Sequence, residues 1–339
     1  MQTTPPPEDY FDAIEASDVD QASDHLLSLL DDGTPIEEIT TEVIAPVQVR
    51  VGQLWQSGWW SVADEHVATS ITERALAALT HAAVPPAGVQ TRHIAVGCAE
   101  GEWHTLPALM AAAVAGSTGE AKVTILGPSL PAAQLHHRLS AGDIDVLALS
   151  CTMPTNLIGA ARCIAAAHDL DIPVIIGGRA LGGSPFRAQA IGADGWALDP
   201  KVLLEPIPEL TGRGSEISAE VLRLDAADDA IIDVAYHEMV DEFPYLSSMT
   251  STEQARTRED LRWMARFTAG ALLTNDSTIV EELLAWLCRL LAGKVPMPVI
   301  TTSAHVLADV IAPTSGAGAT ILRGAAAKVA VDLSGAGKP

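Results

Sequence analysis

The sequence predicts an α/β plus all-α chain in three parts: an N-terminal helical bundle, a central domain built on a doubly wound parallel sheet, and a helical C-terminal part. Three observations carry this. The chain has 339 residues, 48% of them hydrophobic, more than one ordinary core holds at roughly 100–200 residues per domain. Its apolar period is helical to about residue 82, changes to short continuous runs at His93, and becomes helical again beyond Gly214. Pro85-Pro86-Ala87-Gly88 and the pair Gly212 and Gly214 punctuate the two changes.

In the first part, Leu26, Leu27, Leu29 and Leu30 close a helix ahead of Asp31-Asp32-Gly33-Thr34-Pro35, a stop signal. A second helix runs from about Ile36 to Trp55 and breaks near Gly58. Ser61-Val62-Ala63-Asp64 has the form of a capping box, so another helix starts there and carries Glu65, His66, Ile71 and Leu76. With the short first segment this makes a four-helix bundle over residues 1–84.

Ile94–Cys98, Lys122–Gly127, Asp145–Ser150 and Pro173–Gly177 are short, nearly unbroken apolar runs bounded by Gly, Pro or Ser, with Ala-rich helical stretches between them. Such alternation belongs to a parallel sheet covered on both faces, and a weaker fifth strand falls near Trp196-Ala197-Leu198. This domain spans 92–210 and is expected to be flavodoxin-like. Farther on, Leu261, Met264, Ala265, Thr268, Ala271 and Leu272 repeat at helical spacing, as do Ile279, Leu283, Trp286, Leu287, Leu290 and Leu291. The all-α part covers 219–312, and the Gly/Ala-rich stretch 313–339 is expected to be flexible.

Charge and cysteine usage narrow the setting. The net charge is −23, and residues 1–90 carry fifteen acidic against two basic side chains. That field repels a nucleic-acid duplex or an anionic bilayer, so neither direct nucleic-acid binding nor membrane binding is expected. Cys98, Cys151, Cys163 and Cys288 share no zinc-type spacing. The N-terminus has neither a basic nor an apolar signal region, and no uncharged run spans a bilayer despite a mean hydropathy of +0.23. A cytoplasmic protein is the expectation.

The most informative stretch, Glu100-Gly101-Glu102-Trp103-His104-Thr105-Leu106-Pro107, follows the first strand. Open parallel sheets bind ligands beyond the carboxyl ends of their strands, where strand order reverses. His104 follows the first strand, Ser150 and Thr152 the third, and Gly177-Gly178 close the fourth, so all fall on one sheet edge. An imidazole there can ligate a metal, with Glu102 accepting from its other ring nitrogen. Paired glycines would leave room for a flat ring.

At these residues the sequence resembles the cobalamin-binding domain, whose pattern is Asp-x-His-x-x-Gly, a Ser-x-Leu-like segment, then Gly-Gly. Here it reads Glu102-x-His104-x-x-Pro107, Ser150-x-Thr152 and Gly177-Gly178, with Pro107 at the family Gly and Thr152 at the family Leu. The resemblance implies base-off binding, with His104 on the lower face of cobalt and the displaced tail running past Ser150 to Gly177-Gly178. Upstream, Trp55 precedes Glu65-His66 by nine intervening residues. This resembles the helical cap of light-sensing cobalamin proteins, which implies adenosylcobalamin, with Trp55 over the adenosyl group and Glu65 and His66 contacting it. Some of those proteins carry a His directly after this Trp; here Gln56 stands there.

Residues 219–312, through Asp260–Phe267 and Val280–Leu287, look like a globin-like domain, and the whole chain resembles the photocobilins, which join cobalamin-binding and bilin-binding domains. That implies biliverdin as a second pigment. Arg258, Arg262 and Arg266, at i, i+4 and i+8, would suit its propionates, and His237 and His305 its pyrroles. Met264 stands where relatives often carry His, and the apolar neighbours of Cys288 suggest a buried, inert thiol. The expected function is a light sensor rather than an enzyme, signalling to an unknown downstream protein through a change in a homo-oligomer. A corrinoid carrier for methyl transfer and a haem-binding globin sensor are the alternatives.

Overall fold

The computed structural model describes residues 8–83, 90–212 and 214–335. The expected linker Pro85–Gly88 lies outside these residues. The chain divides into two compact units: one gathers Met1–Thr152, Arg162–Ala188 and Gly192–Arg213, and the other Met153–Ala161, Gln189–Ile191 and Gly214–Pro339.

The first unit begins with the four-helix arrangement. Helices α1 (Glu8–Glu15) and α2 (Val19–Asp31) are followed by a run made of α3 (Ile36–Glu38), a π-helical stretch (Ile39–Ile44) and α4 (Ala45–Gln56), then by α5 (Val62–Ala82). The π-helical stretch has a local cause. Pro46 has no N–H to give and its ring crowds the carbonyl four residues back, so the helix widens just ahead of it. The capping box is present: the Ser61 hydroxyl accepts from the Asp64 N–H at 3.2 Å, and the Ser61 N–H donates to the Asp64 carboxylate at 2.8 Å. Tyr10, Phe11, Leu26, Ile44 and Leu79 fill the bundle core.

The sheet follows, with β1 (Arg92–Cys98), β2 (Ala121–Gly127), β3 (Val146–Ser150), β4 (Val174–Gly177) and β5 (Gly195–Ala197). All pairings are parallel, in the order β2-β1-β3-β4-β5, the flavodoxin-like order. Helices α6 (Leu106–Ser117), α7 (Ala132–Ser140), α8 (Leu157–His168) and α9 (Phe186–Ala190) make the crossovers.

The bundle and the sheet domain, expected as consecutive domains, meet through α6. Its Leu106, Met110 and Ala113 belong to the bundle core, whereas Ala108, Ala112 and Ala115 belong to the core against the sheet. Each triplet follows i, i+4, i+7, so one helix presents two apolar stripes. A helix apolar all round is a buried one.

The second unit is helical: α10 (Ala219–Ala226), α11 (Asp229–Glu242), α12 (Ser251–Thr274), α13 (Thr278–Leu290), α14 (Met297–Ile311) and α15 (Gly316–Gly335). Here the structure corrects one expectation. Within the stretch 313–339, residues 316–335 do not form a flexible tail: Gly316–Gly335 is α15, packed on α12, α13 and α14. Ala319, Leu322, Ala326 and Val329 recur at helical spacing and are buried, and the small residues let neighbouring helices approach closely. No helix among the described residues is long and apolar enough to cross a membrane.

Leu322 is fully buried. Leu322→Ala should destabilise the second unit by about 2–5 kcal/mol in chemical denaturation, whereas a flexible tail would leave its unfolding midpoint unchanged.

Candidate functional site

Register puts the strand ends on one line. Cys98 pairs with Ser150, Ser150 with Gly177 and Gly177 with Ala197. The segments Glu102-x-His104, Ser150-x-Thr152 and Gly177-Gly178 therefore leave the sheet on the same edge.

Glu102 organises that edge. Its side chain has no solvent exposure. Oε1 accepts from the His104 backbone N–H at 3.0 Å and lies 2.5 Å from the ring Nδ1, while Oε2 accepts from the Thr152 N–H at 2.7 Å. A buried carboxylate is tolerable because both oxygens receive N–H groups. With Nδ1 held this way, Nε2 is the ring nitrogen left for a ligand, on a side chain 57% exposed. The Glu102 hydrogen bond raises the His104 pKa above its ordinary value; burial opposes this, and the charges of Glu102 and, more weakly, Glu65 add to it. Glu65, on the bundle, is thus within electrostatic reach of His104. One residue on, the Thr105 hydroxyl donates to Glu73 of α5 and ties the His104 segment to the bundle.

Two hydroxyls on the edge stand without partners. Ser150 Oγ and Thr152 Oγ1 are buried and make no hydrogen bond among the described residues. Buried hydroxyls rarely stay unpaired in a finished structure, so a polar ligand group fits here.

The glycines make room for backbone as well as for any ligand. A Cβ on Gly178 would lie 2.3 Å from the Cys151 carbonyl oxygen, and one on Gly177 2.8 Å from that of Ala197. Gly178 also has φ +109°, a region that side-chain-bearing residues avoid. The closeness of the strand-end segments therefore suffices to require both glycines.

On the bundle, Trp55 lies in the last turn of α4 and is half-buried, with Gln56 directly after it. Glu65 and His66 lie in the first turns of α5, Glu65 29% and His66 74% exposed, with His66 Nε2 3.6 Å from Glu65 Oε2. The Thr69 hydroxyl donates to Glu65 Oε1 at 2.9 Å and fixes that carboxylate.

In the second unit the arginine stripe is already paired. Arg258 meets Asp233 at 2.8 Å, Arg262 meets Asp229 at 2.6 Å and Arg266 meets Asp225 at 3.5 Å, and the Arg258 guanidinium also lies over the Tyr236 ring. His237 is exposed with Nδ1 2.6 Å from the Asp233 carbonyl oxygen, and His305 is exposed on α14. None of these five residues lines the cavity enclosed by α11–α14, which Met264 does line. Cys288 is only partly buried, and burial raises its thiol pKa.

Residues 7–80 match a protein family described as "B12 binding domain", and residues 92–204 match a second family of the same description. Two B12-binding domains indicate a cobalamin cofactor. The HTH-type transcriptional repressor CarH of Myxococcus xanthus is 35% identical over 138 residues, which are 41% of this chain and 44% of that protein. The chain therefore spans less than half the length of that curated relative. Among solved structures, the monomethylamine corrinoid protein of Methanosarcina barkeri aligns at 16% identity over 57% of this chain and 92% of its own, with a TM-score of 0.48. A cobalamin-binding protein of Desulfitobacterium hafniense aligns at 19% over 56% and 91%, with a TM-score of 0.31.

Gly178→Ala should lower stability by roughly 2 kcal/mol or more, because it combines a backbone collision with a left-handed φ. Gly183, with open space around it, is the control: Gly183→Ala should stay within about 0.5 kcal/mol in the same denaturation experiment.

Proposed function

We propose that the chain is a light sensor that binds adenosylcobalamin between its helical bundle and the carboxyl edge of its sheet. The observation that carries this is Glu102 gripping Nδ1 of His104 and leaving Nε2 outward, with two unpartnered hydroxyls on the same edge. His104 would hold the cobalt of a cobalamin through Nε2, and the corrin ring would bring the metal's other donors with it. Ser150 and Thr152 would supply hydroxyls to the nucleotide tail of the cofactor, and Gly177 and Gly178 would add no side chain beside it. The cofactor, once bound, contributes the light-sensitive cobalt–carbon bond.

The chain's own residues turn loss of the upper ligand into movement. In this reading Trp55 offers an aromatic plane to the adenine, and Glu65, oriented by Thr69, accepts from ribose hydroxyls beside His66. Departure of the ligand removes contacts that exist in one state only, which a two-state switch requires. Signal output would be a change in homo-oligomeric state read by a downstream protein.

A second pigment is the finer part of the proposal. Biliverdin, implied by the resemblance to photocobilins and their globin-like domain, would occupy the cavity among the helices of the second unit. For its propionates to reach Arg258, Arg262 and Arg266, they would have to displace Asp233, Asp229 and Asp225.

The test is absorption spectroscopy of protein reconstituted with adenosylcobalamin, in the dark and after illumination, with and without biliverdin. A cobalamin spectrum that changes on illumination is expected, together with a red-absorbing band when biliverdin is present. A light-insensitive spectrum would sink the sensor reading. Retention of methylcobalamin in preference to adenosylcobalamin, with turnover by a methyltransferase, would put the methyl carrier in its place. His104→Ala should abolish the imidazole-ligated spectrum and weaken cobalamin retention at least tenfold, and an unchanged spectrum would overturn the axial assignment. Trp55→Ala should reduce the preference for the adenosyl form while the corrin stays bound.

A further inference from the structure

The sheet face beside α7 is polar where a covered parallel sheet is ordinarily apolar. Alternate strand residues share a face, so Lys122, Thr124 and Leu126 of β2 lie on one side. Register sets His93 opposite Lys122 and Ala95 opposite Thr124. Ile94, Val96 and Cys98 of β1 point the other way, into the core shared with α6. His93, Lys122 and Thr124 line a cavity of about 300 Å³, together with Arg138 and Leu139 of α7 and Asp143 just beyond it. That volume is at the lower bound of small-molecule sites, and none of the lining residues belongs to the Glu102–His104 edge.

The two cations of this cavity are unpaired. Neither the Lys122 nor the Arg138 side chain has an ion-pair or hydrogen-bond partner among the described residues, Asp143 included. Other basic groups of the same domain are satisfied. Arg92 donates to the carbonyls of Leu204 and Glu205, Arg162 pairs with Glu100, Arg187 donates to the Ala180 carbonyl, and Lys201 pairs with Glu37. In a chain with 43 acidic against 20 basic side chains, two cations left free around one cavity are the exception. The His93 ring is held beside them, with Nε2 2.8 Å from Thr124 Oγ1, which leaves Nδ1 for a further hydrogen bond.

We propose that this cavity binds a small phosphorylated sugar or polyol, with its phosphate between Lys122 and Arg138. A dianion partners both cations at once, and the guanidinium offers its oxygens a fork of donors. Asp143 selects against a bare phosphate, because a carboxylate on the lining repels an anion unless a donor lies between them. Hydroxyls next to the phosphate are such donors. Thr124 Oγ1 and His93 Nδ1 offer hydrogen bonds to further hydroxyls. The end of α7 carries partial negative charge from its last carbonyls, which likewise favours hydroxyl donors there. Leu139 gives the carbon skeleton an apolar contact. The site rests on this cavity alone and not on the cobalamin reading.

Isothermal titration of the full chain at pH 7.5, without added cobalamin, tests it with ribose 5-phosphate, glucose 6-phosphate, glycerol 3-phosphate and inorganic phosphate. At least one organic phosphate is expected to bind saturably, roughly tenfold or more tightly than inorganic phosphate. Lys122→Met and Arg138→Met should each weaken that ligand by about tenfold. Lys294→Met, which removes an exposed cation of the second unit, should leave it unchanged. Asp143→Asn should narrow the gap between the organic and the inorganic phosphate. Lys122, Arg138 and Asp143 are exposed, so these variants should fold, and either cation variant alone is sufficient should the other fail to. Absence of saturable binding by all three organic phosphates overturns the proposal, as does inorganic phosphate binding equally well. An equal loss in Lys294→Met also overturns it, because that would mark general attraction of anions to any surface cation. No corrin enters the assay, so its failure and that of the cobalamin reading are separable.

Discussion

A single buried carboxylate holds the sheet edge together. Glu102 receives the backbone and ring of His104 on one oxygen and the backbone of Thr152 on the other, so it fixes the segments after β1 and β3 relative to each other. Removing it would leave three N–H groups without their acceptor and free the imidazole to rotate. The carboxylate survives burial because every one of its strong bonds is charge-assisted. The orientation of Nε2, the arrangement of the two unpartnered hydroxyls and the approach of the Gly178 backbone to Cys151 all presuppose this anchoring.

Much of this was legible in the sequence, for identifiable reasons. Continuous apolar runs ending in Ser150 and Gly177 gave away buried parallel strands, and parallel connectivity alone sends every strand's carboxyl end to one side. Ser61 and Asp64 announced the start of α5 because a capping box is a local interaction that needs no tertiary partner. Glu102 two residues before His104 suggested the carboxylate–imidazole contact, though not that the other oxygen would hold Thr152.

What escaped depended on partners distant in sequence. The stretch after Pro313 looks low in complexity by composition, yet Leu322 and Val329 are seven apart and buried. The arginines of α12 suggested anion binding because their partners lay elsewhere, although Asp225, Asp229 and Asp233 repeat the same four-residue spacing, a mirrored signal that could have been matched. The links from Glu73 to Thr105 and from Thr69 to Glu65 likewise join groups whose proximity needs the folded chain or the helix geometry.

The two apolar stripes of α6 have a consequence for how such a protein can be rebuilt. Leu106, Met110 and Ala113 complete the bundle, while Ala108, Ala112 and Ala115 complete the sheet domain, so the seam between modules runs through a helix instead of through a linker. A chimera that grafts another bundle at the chain position of the linker would leave the graft facing a stripe shaped for a different partner. A workable exchange would have to carry alternate faces of one helix from two parents, interleaved residue by residue, and the segment with His104 would inherit its position from both.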